Sequence, residues 1–157
     1  MQHAQLSVGV ISDTHGLVRP AALEALRGSD LIVHAGDVGK PEVLDALRAI
    51  APTFAVRGNN DSAPWARSLP QTEVVEAGPH CLYVLHELPG LDLDPAAAGF
   101  SAVISGHSHR PSAELRAGVL YLNPGSAGPR RFTLPVALAR IRIAGPDLSH
   151  EIIELRV

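Results

Sequence analysis

The sequence predicts an α/β protein built from two packed β-sheets with helices outside. Three observations carry this reading. The first half alternates apolar strand, glycine-containing loop and amphipathic helix. The second half is nearly all short strands. Aspartate, asparagine and histidine cluster where the strands end.

Residues 5–11 are apolar-rich and read as the first strand, with Ser12-Asp13-Thr14-His15-Gly16 as its terminal loop. Asp13 and His15 flank Thr14, so an extended backbone points both the same way. Residues 20–26 read as a helix. Pro20 opens it, Leu23 and Leu26 share a face, and Gly28 lies just past its end. Residues 31–35 are the second strand, an aliphatic run into Gly36-Asp37 that throws a carboxylate out at a turn. Residues 41–50 are the second helix, with Val43, Leu44, Leu47 and Ile50 at core spacing. Residues 53–56 are the third strand, ending in Arg57-Gly58-Asn59-Asn60-Asp61. Such a pattern predicts a mostly parallel sheet with ligands at the carboxyl ends of its strands.

Residues 61–70 are expected to be irregular. Residues 73–76 and 81–85 read as strands around Gly78-Pro79, and the second delivers His86. Residues 95–99 suggest one short helical turn. Residues 102–105 form a buried strand running into Gly106-His107-Ser108-His109. Residues 113–116 and 119–122 flank Ala117-Gly118 as a hairpin. Residues 135–143 and 148–156 flank Ala144-Gly145-Pro146-Asp147 as a last hairpin. No repeat or linker interrupts the chain, so 1–157 is read as one domain.

Composition narrows the function. With 157 residues and 46% hydrophobic content the chain can bury a real core, and 4% aromatics make that core aliphatic. A formal charge of -3 argues against long nucleic acid as a partner, which needs a basic face. Cys81 stands alone, which excludes an internal disulfide and a cysteine zinc cluster. No basic segment followed by a long apolar one precedes the first strand. No apolar run approaches the roughly 20 residues of a membrane helix. The expectation is a cytoplasmic protein with no membrane partner.

The chemistry lies at the strand ends. Asp13, His15, Asp37, Asn59, His86, His107 and His109 are all oxygen or imidazole donors. That set suits borderline divalent ions, with manganese favoured and nickel, cobalt, iron and zinc also accommodated. If Asp37 is shared, seven side chains give four contacts to each of two ions. Two ions about 4 Å apart can hold a phosphoryl group and activate water, so no serine or cysteine nucleophile is needed. Each motif alone has a bland reading: a cap, a turn residue, an exposed loop pair. Five such loops together do not. His34, inside its strand, reads as structural or as support for a ligand. Asp61 reads equally as a loop cap or as a partner that orients a ligand. His3, His80 and His150 lie away from every motif.

Asp13-Thr14-His15, Gly36-Asp37, Gly58-Asn59-Asn60-Asp61, His86 and Gly106-His107-Ser108-His109 resemble, in this order, the motifs of the calcineurin-like metallophosphoesterases. Asn123-Pro124-Gly125-Ser126 and Pro129-Arg130 look like its small single-domain branch of bacterial and archaeal phosphodiesterases. The resemblance spans residues 6 to 131. It implies a four-layer αββα sandwich of two mixed sheets, with one ion on Asp13, His15, Asp37 and His109 and the other on Asp37, Asn59, His86 and His107. It also implies hydrolysis of a small phosphodiester, or secondarily a monoester, by a metal-bridging hydroxide. Two positions depart from the family. Asn60 stands where many members carry a histidine that protonates the leaving group or binds phosphate, so it is a weak catalytic candidate. Glu87 follows His86 where glycine is usual, which alters the turn or brings an extra carboxylate to the second ion. Arg110 is the candidate for substrate contact, and Arg57 and Arg130 also flank motif loops. A retromer subunit that looks like this fold gives the alternative, a non-catalytic interaction scaffold. The strand-rich half offers an edge through which a homodimer could form.

Overall fold

The computed structural model describes residues 5–157. His3 lies outside the described residues. In chain order the elements are β1 (Gln5–Ile11), α1 (Pro20–Leu26), β2 (Leu31–His34), α2 (Pro41–Arg48), β3 (Thr53–Ala55), β4 (Thr72–Ala77), β5 (His80–Leu85), β6 (Ala102–Ile104), β7 (Ser112–Arg116), β8 (Val119–Asn123), β9 (Ala137–Ala144) and β10 (Asp147–Glu154). They make two five-stranded mixed sheets, ordered β10-β9-β1-β2-β3 and β4-β5-β6-β8-β7.

The alternation of the first half gives the parallel core of the first sheet. β1 pairs with β2 and β2 with β3, all parallel, with Ile11 opposite His34 and His34 opposite Ala55. Their carboxyl ends therefore meet at one edge. The last hairpin folds back to pair β9 antiparallel with β1. In the second sheet β5, β6 and β8 are parallel, while β4 and β7 are antiparallel edges.

Val8, Val10, Val33 and Ala35 of the first sheet meet Leu82, Val84, Ile104 and Leu122 of the second in one aliphatic interior. Leu26 of α1 and Val43, Leu44 and Leu47 of α2 cover the outer face of the first sheet. Pro begins both helices, where its missing N–H costs no hydrogen bond. The outer face of the second sheet is covered by an irregular segment, whose Leu88, Leu91, Leu93 and Phe100 pack on Tyr83, Leu85, Val103 and Val119.

Three expectations are corrected in detail. α2 ends at Arg48, before residue 50, although Ile50 N–H still donates to Leu47 C=O at 2.9 Å in a tightened last turn. Residues 61–70 are not wholly irregular, because Pro64–Ser68 forms a 3₁₀ turn that buries Ala66. A second 3₁₀ turn, Leu88–Gly90, has no counterpart in the strand and helix pattern of the sequence. Residues 95–99 form a hydrogen-bonded turn in which Ala98 N–H donates to Asp94 C=O at 3.0 Å. No helix of the described residues is long and apolar enough to cross a membrane.

Candidate metal centre

Five strand ends deliver the seven candidate donors. β1 leads into Asp13 and His15, β2 into Asp37, β3 into Asn59, β5 into His86 and β6 into His107 and His109. Main-chain bonds sew these loops together. Asp13 N–H donates to Gly36 C=O at 3.0 Å, His15 N–H to Asp37 C=O at 2.9 Å, and Gly106 N–H to His86 C=O at 3.0 Å. Asp13, His15, Asp37, His107 and His109 all hold left-handed backbone, with φ of 55°, 48°, 56°, 72° and 62°. They are five of the seven non-glycine residues in that region among those described. Each such conformation costs on the order of 1 kcal/mol or more and persists where surrounding structure over-determines it, typically at a functional site.

Glycines let the loops approach. A Cβ on Gly58 would collide with the Asp37 amide nitrogen and Oδ1. One on Gly106 would meet Ser12 Oγ and lie 2.7 Å from Asp13 Oδ2. Both glycines directly precede a candidate donor, so their lack of a side chain is what allows the donors to converge.

The side chains face one another as lone-pair donors. Asp13 Oδ1 lies 3.4 Å from His109 Nε2 and 3.9 Å from Nε2 of both His15 and His86. It is buried without a hydrogen-bond partner. Asp37 Oδ2 sits between His86 Nε2 at 3.3 Å and His15 Nε2 at 3.7 Å. His15 Nε2 and His109 Nε2 are 3.4 Å apart. On the other side, Asn59 Oδ1 lies 2.9 Å from His86 Nε2 and 3.1 Å from His107 Nδ1. His86 commits Nδ1–H to Ala35 C=O at 2.7 Å, so its Nε2 lone pair points at three oxygens that also carry lone pairs. Only a proton or a metal cation satisfies such an arrangement. Asp13, His15 and His109 form one triad with ligand-atom spacing suited to an ion, and Asp13, Asp37 and His86 form another. The donor set and the orphaned Asp13 oxygen fit divalent ions.

Electrostatics agree. Burial raises the Asp37 pKa, but the hydrogen bond from His86, the Asn60 N–H and the charges of His86 and His15 outweigh it and hold the carboxyl at about 2. Burial lowers His86, yet Asp37 and the Ala35 carbonyl leave it above the ordinary histidine value. Burial lowers His109, and Arg131 and His15 lower it further against the pull of Asp13. Arg131 carries no motif signal in the sequence, unlike its neighbour in the Pro129-Arg130 pair, and shows its role only through its charge on His109.

The supporting residues now have defined tasks. Asp61 accepts from three backbone amides, of Val38, Gly39 and Gly58, at 2.9–3.1 Å, so it caps loops and orients no ligand. His34 Nε2–H donates to Thr14 Oγ1 at 2.9 Å, Nδ1 accepts from Gly36 N–H, and the Thr14 hydroxyl donates to Val38 C=O at 2.8 Å. Asn60 is turned onto Asp37: its N–H donates to Oδ1 at 2.9 Å and its amide to Oδ2 at 3.1 Å. Asn123, known from sequence only as part of a tight loop, donates to Gly106 C=O and Ser108 Oγ and so shapes the loop carrying His107 and His109. Ser12 donates to Asp13 Oδ2 at 2.7 Å. Arg110 is exposed, and Arg57 lines a cleft of about 280 Å³ beside Asn59, His86 and Glu87. His80 bridges Ser101 Oγ and the Gly145 carbonyl far from the centre, a structural role.

The model of the calcineurin-like phosphoesterase superfamily domain matches residues 6–144. A probable metallophosphoesterase of Methanothermobacter thermautotrophicus is 33% identical over 161 aligned positions, covering 93% of this chain and 91% of that protein. Among solved structures, vacuolar protein sorting 29 from Cryptosporidium parvum superposes with a TM-score of 0.83 at 21% identity, covering 97% of this chain and 92% of that one. Yfce, a phosphoesterase from E. coli, superposes with a TM-score of 0.66 at 25% identity over 86% of this chain and 87% of that one.

Proposed function

Because the chain belongs to the calcineurin-like phosphoesterase superfamily, we propose that it is a hydrolase that cleaves a small phosphodiester with the help of two divalent transition-metal ions. The observation that carries this reading is the convergence of seven lone-pair donors from five strand ends, with Asp13 Oδ1 buried and unpartnered among three imidazoles. Asp13, His15, Asp37 and His109 would hold one ion, and Asp37, Asn59, His86 and His107 the other. Such a pair supplies Lewis acidity toward phosphoryl oxygens and acidifies water at neutral pH. Manganese is the ion we put first, and nickel, cobalt, iron and zinc are also compatible with this mixture of oxygen and imidazole donors.

The chain's own groups position and tune. Asn60 holds both oxygens of Asp37 and keeps that carboxylate between the two halves of the centre. Ser12 and the His107 N–H fix Asp13 Oδ2, leaving Oδ1 to face the imidazoles. With its amide turned to Asp37, Asn60 is poorly placed to protonate a leaving group, a service typically worth about 10²–10⁴-fold. The reading therefore favours esters with good leaving groups. A monoesterase is the secondary reading.

The test is a screen of metal-free protein with manganese, nickel, cobalt, zinc or magnesium, against a chromogenic diester and the matching monoester. Diester hydrolysis that appears only with added metal is the expected result. Silence with every metal, despite two bound ions by elemental analysis, overturns the reading and favours an interaction scaffold on the same fold.

A further inference from the structure

Glu87 stands directly after His86, at the end of β5, and its carboxylate turns toward the candidate centre. Its Oε1 lies 3.5 Å from His107 Nδ1. That separation falls within the range found among the other candidate ligand atoms, 2.9 Å between His86 and Asn59 to 3.9 Å between His15 and Asp13. The nitrogen it faces is the informative one. His107 Nδ1 is also 3.1 Å from Asn59 Oδ1, which in turn is 2.9 Å from His86 Nε2. Nδ1 is thus the edge of the ring turned inward, and Glu87 Oε1 approaches that same edge. Arg57 lines the same cleft as Glu87. Yet among the described residues the ionisable side chain that Glu87 approaches within 4 Å is His107. Glu87 and His107 are each 49% exposed, so neither side chain is locked by packing and the carboxylate has room to move in.

We infer that Glu87 is an eighth protein ligand, an oxygen donor to the ion held by Asn59, His86 and His107. The inference rests on the two-ion reading above and adds a ligand to it. The added carboxylate gives that ion three oxygens, from Asp37, Asn59 and Glu87, beside two imidazoles. Oxygen-rich sites with more ligands favour manganese over zinc, which settles for four. It also cancels one positive charge on the outer side of the centre.

The test compares wild type, Glu87→Gln and Glu87→Gly as metal-free protein of residues 1–157. Calorimetric titration with manganese is followed by competition with zinc and by visible spectra of the cobalt-loaded proteins. Circular dichroism checks that each variant is folded, which the exposure of this side chain favours. Wild type should titrate two manganese ions. Both variants should weaken one of them by at least about 10-fold, leave the other unchanged, and lose manganese-over-zinc preference at the weakened site. The cobalt bands should intensify as the coordination number drops. Unchanged affinity at both sites overturns the inference. So does weakened binding with an unaltered cobalt spectrum, since that is a charge effect acting at a distance. A wild type that takes up fewer than two manganese ions overturns it as well. Two-site binding with Glu87 dependence but no hydrolysis of any ester sinks the enzymatic reading and leaves Glu87 as a ligand.

Discussion

Burial holds His34 at about 3, well below the ordinary histidine value of 6.5, although Asp61 and Asp37 pull the other way. The neutral ring fits its bonds, because Nδ1 must accept from Gly36 N–H. As pH falls through 6.5 the unfolded chain takes up a proton at this position and the folded chain does not. Stability is therefore lost from about pH 6.5 down toward pH 3, by up to about 1.4 kcal/mol per pH unit for the one proton. His34→Gln removes that proton. Denaturant unfolding of metal-free protein between about pH 6 and pH 4 should show a shallower loss in the variant than in wild type. Parallel slopes would mean the ring is not held neutral. Asp37 is the complementary case, a carboxylate held at about 2 with its oxygens aimed at His15, His86 and Asn60. Asp37→Ala should lower kcat/KM for the diester by at least about 100-fold and reduce bound metal, as removal of a shared ligand must exceed the cost of removing a supporting partner. Activity within tenfold of wild type at equal metal would remove Asp37 from the centre.

At the scale of elements, what matters is how closely the loops approach. Gly106 lies in the loop just after β6, with no room for a methyl group between it and Ser12 and Asp13. Those neighbours are short, fully buried side chains, held by the Ser12 hydroxyl and the His107 N–H that both donate to Asp13 Oδ2, so they have little freedom to swing away. Gly106→Ala should therefore cost about 1–3 kcal/mol of stability by overpacking, and should weaken metal binding because the loops carrying Asp13 and His107 are forced apart. Urea unfolding with and without manganese reads both effects, and a variant as stable as wild type would show that the loop shifts freely. Elements of this kind were partly legible. The strand-loop-helix rhythm located β1 to β3 and both helices, because period and proline placement are local signals. The strand ends announced Asp37, Asn59, His86, His107 and His109 by residue type. Other parts were illegible because their cause is tertiary. Asp61 looked ambiguous until three amides from two loops were seen to meet on it. The two 3₁₀ turns, Pro64–Ser68 and Leu88–Gly90, are held by packing of Trp65 and Leu88 on neighbouring clusters. Asn123 carries no signal for its hold on Gly106, seventeen residues away in the chain.

Across the whole molecule, the candidate centre is where the two sheets are joined at one edge. Asp13, His15, Asp37 and Asn59 come from strand ends of the first sheet, and His86, His107 and His109 from those of the second. Between the sheets the contact is aliphatic and needs no metal. At the edge, the facing donors repel unless a cation lies among them, and five of the residues bear left-handed backbone. Bound metal should therefore act as a clasp on a fold that is already complete. Mass action gives about 2.7 kcal/mol of added stability at a free concentration 100 times the dissociation constant. Thermal unfolding should shift upward on adding manganese to metal-free protein and return on chelation. Hydrogen exchange locates the effect: amides of residues 12–16, 36–39, 58–61, 86–87 and 106–109 should slow with metal, whereas those of β1, β6 and β9 should exchange equally slowly with and without it. A uniform slowing of every strand would instead mean that the sheets dock only when metal is present. No thermal shift at saturating manganese would mean that the centre does not bind it.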